Sequence, residues 1–455
     1  MTVPSGDARP DVSSKGGTKA KLISLLTKHL GDLFNPRCFE QGPLSLSSLP
    51  LPLLPSPGYG FKGLLLSAVK TPLLLRARSQ GIWYMLDMSM EMVTGADPYT
   101  LAAVAASLVV AIGIYYLVFI LGPAETKGKS AVELGGGSLA REQVADNYKA
   151  YADFFKKPKE IENAKQVPKL VDTFYNLVTD IYEWGWGQSF HFSPAIAGKS
   201  HREETRLHEE RVSDLLHINP KDKVLDAGCG VGGPMRAIAA YSGANVVGIT
   251  INDYQVARAR NHNKKAGLDS LCEVICGNFL SMPFDESTFD GAYSIEATCH
   301  APQLRDVYAE IYRVLKPGKL YVTYEWVTTP LYRADNPEHV EIIHGIEHGD
   351  ALPGLRSYTQ VVQIAKDVGF EVLEDKDLAL PPALPWWKRL KMGRIAYYRN
   401  HVVIALLSFL GVAPQGVVDV HEMLFKTAEH LSRGGETGIF TPMHLLVCRK
   451  PEIEQ

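Results

Sequence analysis

The stretch VLDAGCGVGGPM, Val224–Met235, decides the fold. An apolar run reaches Asp226, and glycines follow at 228, 230 and 233. That order matches G-x-G-x-x-G, in which glycine permits a tight turn out of a strand and lets the backbone approach a ligand closely before a helix opens. Dinucleotide-binding proteins share the pattern, so the loop alone identifies a class of site and not its ligand.

Outward from this loop, strand-like and helix-like segments alternate. KVLDAG (223–228), NVVGITI (245–251), CEVICG (272–277), FDGAYSI (289–295) and KLYVTYEW (319–326) read as strands. Helices are expected near Met235–Tyr241, Asp253–Ala266 and Leu304–Leu315. YTQVVQIAKDVGFEVLEDKDL reads as helix then strand, and MHLLVCRK as a last strand. Such alternation predicts an α/β fold with a doubly wound sheet. Ahead of it, REQVADNYKAYADFF and VPKLVDTFYNLVTDIYEW carry helical spacing, with Val171, Phe174, Tyr175 and Val178 on one stripe. Residues 380–440 interrupt the alternation with helical, Trp- and Tyr-containing sequence, read as a lid or insertion.

The 455-residue chain begins differently. Residues 1–85 form a low-complexity, proline-broken leader with no acid between Gln41 and Leu86, a composition of disordered tails and of some targeting segments. Leu101–Leu121 is then uncharged throughout and long enough to cross a bilayer core of about 30 Å. Asp87, Glu91 and Asp97 precede it and Lys127, Lys129 and Arg141 follow, so the positive-inside rule puts the remainder in the cytosol. The expected organisation is a leader (1–85), one transmembrane helix (100–122), a linker (123–140), a helical aromatic segment (141–220), an α/β core (221–379) and a C-terminal region with lid and last strand (380–451).

Composition excludes several function classes. With 46% hydrophobic and 21% charged residues the chain is a folded protein. A net charge of −3 and the lack of a long basic run give no reason to expect nucleic acid. The six cysteines are scattered with no C-x-x-C pair, so no metal is expected and a reduced compartment suits them. His208 in HEERV is not part of an H-E-x-x-H motif.

One further stretch demands chemistry. YEWGWGQSFHFS, Tyr182–Ser193, holds five large aromatic residues, Tyr182, Trp184, Trp186, Phe190 and Phe192, in a chain that is 9% aromatic. In class I S-adenosylmethionine (SAM) methyltransferases an acid occupies the place of Asp226, and RVLKPGKLYV resembles the turn before their fifth strand. More narrowly, YEWGWGQSFHFSP, VLDAGCGVGGPMR, GITINDYQV, GNFLSMPF, YSIEATCHAP, YVTYEWV and GIFTPMHLLVCRKP stand in the order of the sterol 24-C-methyltransferases, and Arg141–Pro451 resembles that family. The resemblance implies a class I SAM-methyltransferase fold, with SAM held by Asp226, Gly228, Cys229 and Gly230. Thr250, Asn252 and Gln255 take the ribose role, because Thr250 stands where most SAM enzymes carry an acid. Asn278 and Phe279 fall at the adenine, and Glu296 at the cofactor edge.

The implied reaction attacks the SAM methyl with the alkene of a Δ24-sterol such as cycloartenol or zymosterol, leaving a carbocation. An aromatic pocket of Tyr182, Trp184, Trp186, Phe190 and Phe192 suits both a flat hydrocarbon and a cation, each ring face contributing about 0.5 to 2 kcal/mol. Glu183, Glu296 and Glu325 are the expected carboxylates, with Tyr182 and His300 completing the catalytic set. Each also admits a structural reading: rings as core, Glu183 as a salt-bridged acid, His300 as a loop histidine. Glu347, His348 and Asp350 in IEHGDALP resemble the substrate-side loop without assigned roles. The expected setting is the endoplasmic reticulum membrane, single-pass, with the catalytic part cytosolic and a homo-oligomer left open. The rival readings are a cyclopropane-synthase-like or tocopherol-type lipid methyltransferase, and a non-catalytic SAM- or sterol-binding membrane protein.

Overall fold

The computed structural model describes residues 139–156, 166–391, 394–411 and 413–452. The leader, the apolar segment at 100–122 and nearly all of the linker lie outside the described residues. Among the described residues no helix is long and apolar enough to cross a membrane.

Two helices, α1 (Val144–Lys156) and α2 (Val167–Gly185), precede α3 (His201–Leu216). Then follow β1 (Lys223–Ala227), α4 (Gly233–Ser242), β2 (Asn245–Thr250), α5 (Asp253–Ala266), β3 (Cys272–Cys276), β4 (Gly291–Ile295), α6 (Leu304–Val314) and β5 (Leu320–Thr328). The chain continues through α7 (Pro337–Gly349), β6 (Arg356–Ser357), α8 (Tyr358–Val368), β7 (Glu371–Asp377), α9 (Arg394–Phe409), α10 (Val417–Thr437) and β8 (Phe440–Arg449).

The sheet order is β3-β2-β1-β4-β5-β8-β7, with the short β6 beside β5. Strands β1 to β5 pair in parallel, and their order reverses between β1 and β4. Ligands of open α/β sheets bind at such a switch point, beyond the C-terminal strand ends. The sheet is mixed, because β8 runs antiparallel between β5 and β7. MHLLVCRK reads as a strand, but no local signal tells it where to insert.

The inner parallel strands β1, β2, β4 and β5 are buried on both faces, hence their near-continuous apolar runs. Alternation sends Val224, Val246, Tyr293, Val322, Tyr324 and Trp326 to one face, where α3, α4 and α7 pack. It sends Leu225, Val247, Ala292 and Tyr321 to the other, against α6 and α8. A third cluster unites α1, α2 and α10 through Tyr151, Phe174, Val178, Val420 and Met423. The helix α2 runs on through Gly185, so that glycine does not break it; the turn comes at Gly187, with φ +102°. The aromatic stretch is thereby split between a helix end and an extended segment.

Candidate active site

At the switch point a cleft of about 880 Å³ opens against the glycine loop. Gly228 needs its bare Cα twice over: φ is +98°, and a Cβ would stand 2.4 Å from Ala297 Cβ. Gly230 has φ +51° with nothing within 4 Å of a built Cβ, so its backbone is open to the cleft. A Cβ on Gly233 would lie 2.1 Å from the Gln188 carbonyl oxygen, which seats the aromatic segment on the start of α4. Gly228, Cys229, Gly230, Thr250, Gln255, Asn278, Phe279 and Glu296 all line the cleft. Bare backbone at a helix start, the Thr250–Gln255 hydroxyl–amide pair (3.0 Å) and a ring at Phe279 fit a ligand with a charged end, a ribose and a flat base.

Two residues expected there stand back from the wall. Asp226 is buried one step behind, accepting from Tyr293 Oη at 2.9 Å; burial, partly offset by that bond, lifts its carboxyl to about 7. Asn252 caps α5 by accepting from Gln255 N–H, and its amide donates to Asp172 and Asn176 of α2. Both support the cleft from outside it.

A second space of about 950 Å³ lies on the Trp326 face of the sheet. Its walls are mostly apolar: Ile181, Trp186, Phe192 and Trp326 meet Leu424, Ala428 and Leu431 of α10. Glycines 345 and 349 let α7 lie tight against α10, since a Cβ on either would collide with His430 or Thr427. Between the two spaces sits a smaller one of about 320 Å³, walled by Phe174, Tyr175, Tyr182, Cys299, His300 and Leu352 among others. Phe190 and Glu296 belong to the walls of all three.

Glu296 therefore stands at the junction. Its backbone is strained, with φ +52° on a non-glycine residue. Both oxygens are held: Oε1 accepts from Phe192 N–H at 2.8 Å and Oε2 from Trp326 Nε1–H at 2.7 Å. Burial pushes its pKa to about 8, against the pull of His191, Trp326 and the Phe192 amide. His191 is anchored on Glu209 at 3.1 Å; burial would lower its pKa, but the Glu209 bond outweighs burial and raises it. Asp350 closes the far side, with Tyr182 Oη donating to Oδ1 at 3.3 Å and burial lifting its pKa to about 7. His300 lines the junction, its Nε2 3.0 Å from Tyr175 Oη, and burial drops its pKa to about 4.

Two expected carboxylates do not reach these spaces. Glu183 is turned towards α5, 2.6 Å from Arg258 Nε and 2.6 Å from His262 Nε2. Burial would raise its pKa, but these two partners outweigh it and lower it. Through His262 Nδ1 and Arg236 Nη2 the network continues to Gln188, so Glu183 clamps the aromatic segment to the cofactor helices. Glu325 points to the opposite face of β5, where Thr298, Tyr308 (2.9 Å) and Thr323 (3.0 Å) donate to it. Its neighbour Trp326 faces the cavity instead. Of the rings, Tyr182, Trp186, Phe190 and Phe192 line the two inner spaces, while the Trp184 side chain lies outside the described atoms. His191 lies inside YEWGWGQSFHFSP and Asp350 inside IEHGDALP, but neither stretch assigns them a role, and the α10 wall carries no motif at all.

Comparison with known proteins fits this geometry. A methyltransferase-domain model matches residues 225–323, and a sterol methyltransferase C-terminal model matches residues 387–452, covering α9, α10 and β8. The chain is 71% identical to 24-methylenesterol C-methyltransferase 2 of Arabidopsis thaliana, over 75% of this chain and 95% of that protein. It is 68% identical to 24-methylenesterol C-methyltransferase 2 of Oryza sativa subsp. japonica, over 77% and 98% respectively. Among solved structures, the mycolic acid cyclopropane synthase CmaA1 complexed with SAH and CTAB shares the fold, with a TM-score of 0.51 at 18% identity over 62% of this chain and 97% of that one. A polar cleft at the switch point, joined through Glu296 to an aromatic cavity closed by the matched C-terminal region, thus sits in a chain that belongs to the sterol C-methyltransferases, SAM-dependent enzymes of the class I fold.

Proposed function

We propose that this enzyme methylates a sterol side chain that already carries a 24-methylene group, through a carbocation. The relatives at 71% and 68% identity bear that substrate in their names. The observation that carries the mechanism is the placement of Glu296 in the walls of all three spaces. SAM supplies an electrophilic methyl group when bound. The chain's own part is to hold the acceptor alkene in a ring-lined space, exclude water, and stabilise the positive charge left on the sterol. Glu296, fixed by two donors and ionised when a cationic ligand lies beside it, is a preorganised negative charge of the kind that is worth most where water is absent. Loss of a proton from the carbon that received the methyl group then restores an alkene.

The test is incubation of the purified protein with labelled SAM and, separately, a 24-methylene sterol, a Δ24-sterol, a tocopherol precursor and an unsaturated phospholipid. The 24-methylene sterol is expected to give the highest kcat/KM and a product one CH2 heavier. A preference for the Δ24-sterol would make this a first-methylation enzyme, and label in phospholipid alone would defeat the sterol reading.

For the cellular setting we propose a single-pass anchor in the endoplasmic reticulum at 100–122, with residues 141 onward cytosolic. The support is the uncharged 21-residue run with acids before and bases after it. Resistance to carbonate extraction, with the catalytic part cleaved by protease in intact microsomes, is the expected result; quantitative release by carbonate would remove the anchor.

A further inference from the structure

The methylation proposed above ends with a proton leaving the sterol, and hydrogen bonding separates the groups that could accept it. Glu296 uses both oxygens on Phe192 N–H and Trp326 Nε1–H. Glu183 is ion-paired outside the cavities, and Glu325 lies across the sheet from them. With Nδ1–H donating to the Ala351 carbonyl, the remaining lone pair of His300 is taken by Tyr175 Oη. Asp350 differs from all of them. It is 8% exposed, lines both the apolar cavity and the junction, and shares one oxygen with Tyr182. Its other oxygen, Oδ2, is buried with no hydrogen-bond partner among the described residues.

The backbone keeps it there. Asp350 caps α7 through its N–H to the Ile346 carbonyl at 3.1 Å, and the next residue, Ala351, turns the chain with φ +54°. A non-glycine residue in that region costs energy and persists where the surroundings fix it. Gly349 before it cannot carry a side chain, because a Cβ would stand 1.9 Å from Thr427 Oγ1. An unpaired buried carboxylate oxygen loses its hydration without compensation, so a native fold keeps one where it has work to do.

We propose that Asp350 is the proton acceptor that ends the reaction. The C–H bond on the carbon bearing the new methyl group breaks, and its electron pair becomes the new C=C that quenches the cation. The proton goes to Oδ2, and the carboxylate becomes a neutral acid. Hydrogen bonding sets the division of labour: two N–H donors occupy the oxygens of Glu296 beside the cation, and the unpartnered Oδ2 of Asp350 takes the proton. Burial places Asp350 near 7, where a base can both hold its charge at neutral pH and give its proton back.

The assignment rests on the methylation chemistry proposed above, and product analysis keeps the two apart. If the parent protein methylates no sterol, that chemistry fails. If it does, Asp350→Asn is expected to lower kcat by at least about 10²-fold, the lower end for a lost acid–base group, with SAM affinity unchanged in calorimetry. Its residual product should shift from the alkene to an alcohol formed by water capture, resolved by mass spectrometry. Should Asp350→Asn fail to fold, Asp350→Glu carries the test: the charge is kept but moved by one methylene, and the alkene-to-alcohol ratio should fall. A folded variant of either kind with the parental rate and the parental product overturns the proposal. So does an alcohol product from Glu296→Gln with none from Asp350→Asn.

Discussion

The two halves of the site are built on different principles. The cofactor half is made of backbone: glycines, strand ends and helix starts brought together by parallel pairing at one switch point. The acceptor half is made of side chains from α2, the segment after it, β5, the turn after α7, and α10. Backbone sites tolerate almost no added atoms, whereas side-chain cavities tolerate change but depend on a few fixed charges. Breaking each half should therefore give different signatures.

Within the cofactor half the largest effect is expected at Gly228. Alanine there meets Ala297 Cβ at 2.4 Å and must adopt φ +98°. SAM affinity should fall by at least about 10²-fold, or about 2.8 kcal/mol, in calorimetric titration. Gly230→Ala sharpens the contrast. Its Cβ enters open space, so the melting temperature should stay near the parent's while SAM binding weakens less than in Gly228→Ala. Equal, parental affinities in both variants would take the ligand away from this loop.

Next comes Glu296→Gln. Loss of a preorganised charge of this kind costs about 10² to 10³ in kcat, roughly 2.7 to 4 kcal/mol. An amide also cannot accept from both Phe192 N–H and Trp326 Nε1–H, so one donor loses its partner. The pH dependence has a definite sign. Burial raises the carboxyl of Glu296, the acid in the wall of the cofactor cleft, to about 8, with His191 opposing. Raised carboxyl values mean that the free site holds protons near neutrality. A positively charged ligand favours the ionised form, so binding it releases protons. SAM affinity should therefore rise with pH up to about 8 and flatten above. A profile that is flat in the parent would refute the coupling.

How much of this was legible in the sequence divides along the same boundary. The glycine loop, the strand ends and α5 are local patterns, and α5 begins and ends at Asp253 and Ala266 as the spacing predicts. The acceptor side was legible as composition, in its rings, but not as geometry. The triplet YEW occurs twice, at 182–184 and 324–326. In α2 the helical turn directs Tyr182 to the junction and Glu183 to Arg258. In β5 the two-residue period puts Tyr324 and Trp326 on the cavity face and Glu325 on the α6 face. One triplet meets two periodicities, so its acid cannot be assigned until the element is known. Asp350 was less visible still, because its position depends on the Ala351 turn and on the packing of α7 against α10. The place of β8 in the sheet is likewise a tertiary outcome.

Glu183→Gln tests the clamp between the halves, and its effect should fall on stability. Removing one partner of a buried pair costs about 3 to 5 kcal/mol; Arg258 is 13% exposed, which favours the lower end. The sign in pH is fixed by the lowered pKa of Glu183. Its contribution is complete above the unfolded carboxyl value and is lost as pH falls through the folded one. The parent and the variant should thus differ in melting temperature at pH 7 and converge in acid. Melting curves that differ equally at all pH values would remove the ion pair from the explanation.

The smallest effect is expected at the acid that the repeated triplet made most tempting. Glu325→Gln keeps an acceptor oxygen for Tyr308 and Thr323, and no wall of the three spaces includes it. Its carboxyl is raised by burial, only partly offset by its three donors, so the structure already favours a less charged group at this position. Turnover should change by less than the tenfold that about 1.4 kcal/mol represents, with an unchanged product. A loss on the scale of Glu296→Gln would mean that charge acts on the reaction through the sheet and not only from the cavity wall, and the separation between Glu325 and Trp326 drawn from the strand's alternation would have to be given up.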